Sequence, residues 1–104
     1  MWSYLWDLAD GGIADSARRL RDLGLDAVSV ATAYHSFQQL RPHRPRRRLL
    51  IEPEAALYFE PDPALYTQTS IRPRVSPLAA QGQPLTALRD AAGAQGLDLI
   101  SWTV

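Results

Sequence analysis

The chain has 104 residues, 46% of them hydrophobic and 21% charged, with eleven basic side chains balanced by eleven acidic ones. That length bounds it to one domain, the composition is that of an ordinary folded chain rather than a disordered one, and the neutrality gives no general pull toward nucleic acid or a membrane surface. All eleven basic residues are arginine, and Lys and Cys are absent, which excludes a Schiff-base lysine, a phosphate loop of the Walker type, a thiolate nucleophile, a cysteine zinc cage and a disulfide.

The opening MWSYLWDLAD lacks the positive flank and long apolar run of a signal peptide or membrane span, so a cytoplasmic chain with no membrane partner is expected. Trp2 to Leu8 is a short aromatic and aliphatic run, broken by Asp10-Gly11-Gly12, and is predicted as a strand and a turn. Ile13, Ala17, Leu20 and Leu23 recur at helical spacing, with Asp15, Arg18, Arg19 and Asp22 on the other face, until Gly24 stops the helix. Ala27 to Thr32 is almost continuously small and apolar, as a parallel strand covered on both faces requires. The first 32 residues therefore read as one βαβ unit with a right-handed crossover.

Residues 33–83 are too many for a plain loop and must carry structure of their own. Arg48–Glu52 and Ala56–Glu60 are two β-prone runs around Pro53-Glu54, which predicts a β-hairpin inserted after the second strand. Asp62-Pro63 starts a helical turn through Tyr66, and Ile71–Pro77 reads as extended because each proline disfavours helix at the residue before it. Pro84 opens a second main helix in which Leu85, Leu88 and Ala92 share a face, ending at Gly96, and the third strand runs from Asp98 to Val104.

One phrase occurs twice. Gly24-Leu25-Asp26 precedes AVSVAT and Gly96-Leu97-Asp98 precedes LISWTV, with Ser29 and Ser101 at the same offset. Each copy marks a joint where a helix ends at a glycine able to take positive φ and a run of β-formers begins. Repeated αβ units imply parallel strands, and the first copy continues into Ala33-Tyr34-His35, the polar stretch where such units carry their chemistry.

The series YLWDL, GLDAVSVATAYH, RPHRPRR, YFEPDPALY, IRPRVSPL and LDLISWTV resembles a family of bacterial (β/α)8 barrels that are glycoside-hydrolase-like. The resemblance spans essentially the whole chain. It implies an α/β fold equivalent to the first part of a TIM barrel, with three parallel strands, two main helices and a long hairpin-bearing loop after strand two. The family pattern runs on past Trp102-Thr103-Val104, so the chain corresponds to the N-terminal part, and the isolated 104-mer is expected to lack glycosidase activity. Binding or hydrolysis of a carbohydrate is the activity that the resemblance implies.

In a barrel, function collects at the carboxyl ends of the strands. Asp7, at the end of strand one, is the candidate catalytic carboxylate, with helix capping as its structural alternative. A glycosidase needs two carboxylates, and the sequence offers one convincing candidate. Thr32, Tyr34 and His35 bring a hydroxyl, a phenol and an imidazole to one rim, where Tyr34 could stack on a sugar and His35 could bond a hydroxyl or move a proton. Core packing of Tyr34 and a backbone bond from His35 are the structural alternatives. Arg72, beside Pro73 in an extended segment, and Trp102, near the chain end, are candidate substrate-binding residues, with a salt bridge and core packing as their alternatives. Asp7 and His35 have no recognisable metal-ligand spacing, so no metal or cofactor is assigned.

Arg41, Arg44, Arg46, Arg47 and Arg48 lie within eight positions. No aromatic platform is interleaved with them, which argues against nucleic acid and for a solvated loop with one or two arginines paired to Glu52, Glu54 or Glu60. A rival reading makes the chain a small interaction module that uses this loop and hairpin to bind a protein or anionic partner, or that self-associates through exposed strand edges. A third, a sugar-phosphate isomerase-like barrel with a metal beside His35, would need further carboxylate ligands that the sequence does not supply.

Overall fold

The computed structural model describes residues 1–46 and 48–104; Arg47, part of the basic run, lies outside the described residues. The chain is a mixed α/β fold built on three parallel strands and four helices. Strand β1 is Trp2–Tyr4, followed by helices α1 (Leu5–Asp10) and α2 (Ile13–Asp22) and strand β2 (Ala27–Tyr34). Strands β3 (Phe37–Leu40), β4 (Leu49–Glu52) and β5 (Ala56–Leu57) follow, then a 3-10 turn at Pro63–Tyr66. Helices α3 (Pro77–Ala80) and α4 (Pro84–Ala94) lead into strand β6 (Asp98–Thr103).

Strand β2 is the centre of the main sheet, with β1 and β6 parallel on either side. Val28 and Val30 of β2 are fully buried against Ala17 and Leu20 of α2 and Leu88 and Ala92 of α4. The helical faces that periodicity picked out are the ones that form this core. The two repeated joints have the same geometry: Leu25 N–H bonds Leu20 O at 3.2 Å and Gly24 N–H bonds Arg21 O at 2.8 Å, while Leu97 N–H bonds Ala92 O at 2.9 Å and Gly96 N–H bonds Gly93 O at 3.1 Å. These are paired Schellman closures, which place the glycine in the left-handed region, and Gly24 and Gly96 have φ of 82° and 65°.

Equivalent residues of the two copies are not paired with each other. Ser29 pairs with Ile100, and Val30 pairs with Ser101, a stagger of one residue. Since side chains alternate along a strand, the stagger turns the second copy over. Val28 and Val30 face the helices, whereas their counterparts Ile100 and Trp102 lie on the opposite face with Trp2 and Tyr4. On that face Trp2 is 82% exposed and Ile100 52%.

Three expectations are corrected. Strand one stops at Tyr4, and Leu5–Asp10 is helical, because a helical turn buries Leu5 and Leu8 together while an extended run would send them to opposite faces. Asp7 and Trp6 are accordingly on α1, not on a strand. The inserted hairpin exists, but it pairs β3 with β4, Phe37 opposite Glu52 and Leu40 opposite Leu49, around the arginine loop. Strand β5 leaves the hairpin and pairs antiparallel with the end of β2, Ala33 with Leu57 and Tyr34 with Ala56. Its pairing there occupies the edge of β2 beyond the short β1, which would otherwise leave backbone groups unmet. Val75 bridges to Leu57, so the proline-rich segment runs extended beside β5 as its sequence requires. Among the described residues no helix is long and apolar enough to cross a membrane.

Candidate functional site at the carboxyl end of the sheet

The last turns of β1, β2 and β6 meet in a cluster of aromatic rings. Tyr4 stacks on Trp6 at 4.6 Å between ring centres, and Trp6 stacks on Phe37 at 4.4 Å. Tyr34 meets Trp102 edge-on at 5.8 Å and Tyr4 at 5.3 Å. A break in register aims Tyr34 there. Ala31 pairs with Trp102 and Ala33 with Thr103, so β2 carries one extra residue at Thr32. Thr32 O accepts from Tyr58 N–H on one side and Ala33 O from Val104 N–H on the other. Without that bulge Tyr34 would share the parity of Val28 and Val30 and enter the helix layer; with it, Tyr34 joins Tyr4 and Trp102.

Thr32 itself is buried. Its Oγ1 lies 2.8 Å from Ser101 Oγ and donates to Trp102 O at 3.2 Å, tying β2 to β6 beneath the rim. The imidazole of His35 is exposed and lies flat on Tyr34 at 4.2 Å between ring centres. Its Nδ1 is 2.5 Å from Ser36 O. A carbonyl oxygen only accepts, so Nδ1 carries the proton, and in the neutral ring Nε2 is left with its lone pair free to take a proton or accept a hydrogen bond. Tyr4 and Tyr34 hydroxyls are 3.4 Å apart. That hydrogen bond, and burial after it, hold the Tyr4 phenol above its usual range.

Asp7 lies beside this rim, and its carboxylate is engaged. Arg41 Nη2 is 2.8 Å from Asp7 Oδ1 and 2.7 Å from Asp10 Oδ2, and the Arg41 side chain is 1% exposed. Gln39 adds two bonds, accepting from Trp6 Nε1 at 2.7 Å and donating to Asp7 Oδ2 at 3.1 Å. Together these contacts clasp the β3–β4 hairpin to α1. Among the described arginines of the basic run, Arg41 is the buried one, and Glu52 and Glu54 lie 3.6 and 3.3 Å from Arg74.

Among the remaining candidates, Arg72 is exposed and donates to Tyr66 O, Thr69 O and Ile71 O, closing the turn after the 3-10 segment rather than facing the rim. Trp102 is in the cluster, and its indole nitrogen is buried with no hydrogen-bond partner among the described residues. The structure therefore brings Thr32, Tyr34, His35 and Trp102 together and places Asp7 alongside, bound to Arg41. Tyr4 and Gln39 were missed, and Arg41 was read as one of the basic run with other partners. Tyr4 was legible as an aromatic within the predicted first strand, but the partners of Gln39 and Arg41 lie more than thirty positions away and leave no local signal. Among the described residues no three His, Cys, Asp or Glu side chains are grouped so as to hold a metal ion. No family model, curated protein or solved structure matches the chain.

Proposed function

We propose that the chain is the N-terminal part of a glycoside-hydrolase-like (β/α)8 barrel and that the carboxyl end of its sheet binds a carbohydrate. The observation that carries this reading is the order of the parallel strands: β1, β2 and β6 are neighbours in chain order, and α2 and α4 pack side by side against one face of the central strand. A doubly wound sheet reverses strand order and puts helices on both faces, whereas a barrel keeps one order and one helix side. The one-residue stagger between copies agrees with it, since eight strands with a shear of eight advance on average about one residue per strand. Under this reading the face bearing Trp2, Ile100 and Trp102 is the barrel interior and the Tyr34–His35 rim is part of the mouth.

At that mouth, Tyr34 and Trp102 supply ring surface for sugar C–H groups, and His35 Nε2 accepts from a hydroxyl. Glycan-array binding of the 104-residue chain, with no glycosidase turnover, is the expected result. His35→Ala and Tyr34→Ala weaken binding, and Arg46→Ala leaves it unchanged. Loss of a protein or anionic partner on Arg46→Ala, with His35→Ala silent, would replace the carbohydrate reading by that of an interaction module.

A second reading is favoured by one feature. Met1, Trp2, Ile100 and Val104 are all more than half exposed, on or beside the uncovered sheet face, and exposed apolar surface next to an unpaired strand edge favours self-association. Sedimentation of the 104-residue chain and of Trp2→Ser tests it: a monomer in both discards it.

A further inference from the structure

A cleft of about 250 Å³ opens between α1, the β3–β4 hairpin and α3. Its volume is just under the roughly 300 Å³ at which pockets for drug-sized ligands begin, so it fits one small ring and little more. Phe37, the end ring of the Tyr4–Trp6–Phe37 stack, lines it together with Leu50 and Leu78, and Glu52, Tyr58 and Gln81 contribute polar groups.

The charged groups around this cleft are paired within the protein, with carboxylates in excess: Arg41 is held by Asp7 and Asp10, and Arg74 by Glu52 and Glu54. An anionic ligand would meet that excess, and a cationic one would have to compete with Arg41 or Arg74. A neutral ligand would do neither, provided that it can hydrogen-bond to a carboxylate and a carboxamide through hydroxyls while offering C–H surface to a ring and two leucines. We propose that this cleft is a binding subsite for a single neutral pyranose, with Phe37 as its apolar platform and Glu52 and Gln81 as the groups that take its hydroxyls. The choice of a sugar rests on the carbohydrate reading above; the place, the size and the neutrality come from the cleft. The hairpin forms one wall, and the arginine loop enters it through Arg41, which lines the cleft while held by Asp7 and Asp10.

The test is titration of the ¹⁵N-labelled 104-residue chain with methyl glucoside, methyl galactoside and methyl xyloside, following the three indole N–H signals assigned by Trp→Phe variants. Millimolar binding that shifts Trp6, which lines the cleft, is expected, whether or not Trp102 at the rim moves with it. Glu52→Gln and the exposed Gln81→Ala each then weaken it about tenfold. Gln81→Trp, which fills the cleft from an exposed position, abolishes it without changing the amide spectrum elsewhere. Binding that moves Trp102 and the His35 ring but not Trp6 would overturn the subsite and leave the carbohydrate reading standing. No shift with any of the three glycosides at 50-fold excess over about 1 mM protein would overturn both.

Discussion

Strands β2 and β6 begin with the same phrase and end in opposite circumstances. Val28, Val30 and Ala31 of β2 are fully buried, covered by helices on one face and aromatic rings on the other, and both edges of the strand are paired. In β6, Ile100 is half exposed, and β2 is the strand it pairs with. Since the joints that launch them are superposable in hydrogen bonding, the difference does not arise in local sequence. It arises from neighbours, and above all from the excursion between Phe37 and Ser76, which covers the carboxyl end of β2 by means of β5 and the clasped hairpin.

The severest way to break this contrast is to unclasp the hairpin. Arg41→Ala leaves Asp7 and Asp10 facing each other without their shared cation; the carboxylates are 24% and 34% exposed, so the loss falls below that of a fully buried pair, at about 2–3 kcal/mol. Urea unfolding should show that loss, and a change below about 1 kcal/mol would mean that the clasp does not hold the excursion down. A smaller effect separates the two strands directly. Val28→Ala should cost about 2 kcal/mol, while the equivalent Ile100→Ala stays within about 0.5 kcal/mol, so similar losses in the two thermal melts would contradict the turned-over register.

The joints should respond alike. An added Cβ at Gly24 or Gly96 meets nothing within 4 Å, so the penalty of Gly→Ala is the left-handed backbone alone, about 1–2 kcal/mol at each. Unequal penalties in chemical denaturation would show that one joint is strained by its surroundings. The mildest perturbation is Tyr58→Phe, near neutral at pH 7. Burial, and Glu52 after it, push the Tyr58 phenol up to about 12, with Arg74 pulling partly against them. A phenol whose folded value lies above its unfolded one contributes stability fully below about pH 10 and loses it as the pH rises toward 12. Wild-type stability should therefore fall across pH 10–12, and Tyr58→Phe should flatten that fall in melts followed by circular dichroism.

Much of the αβ framework was legible because its signals are local. The helical spacing of Ile13, Ala17 and Leu20, the joint glycines and the β-formers of Ala27–Thr32 each state their structure within a turn or two. The rest depends on pairing at a distance. Phe37-Gln38-Gln39-Leu40 has no strong β signature and becomes a strand because Leu49–Glu52 pairs with it. Ala56-Leu57 leaves its predicted hairpin partner because the end of β2 offers an unpaired edge. Leu5-Trp6-Asp7-Leu8 was read as strand and is helix, since a short apolar run does not by its periodicity separate the two. At the candidate site, Thr32, Tyr34, His35 and Trp102 were found through their position at strand ends, whereas Asp7's engagement with Arg41 and Gln39 needed three dimensions.

The extra residue at Thr32 governs how this rim can change. A strand has only two sides, so one inserted position is a binary switch: it reassigns every later side chain at once, from helix layer to rim or back. Point substitutions at Tyr34 or His35 adjust a single contact. A three-nucleotide insertion or deletion among the codons for Ala31 to Ala33 would exchange the whole set of groups that the strand presents, while leaving the buried valines before it undisturbed.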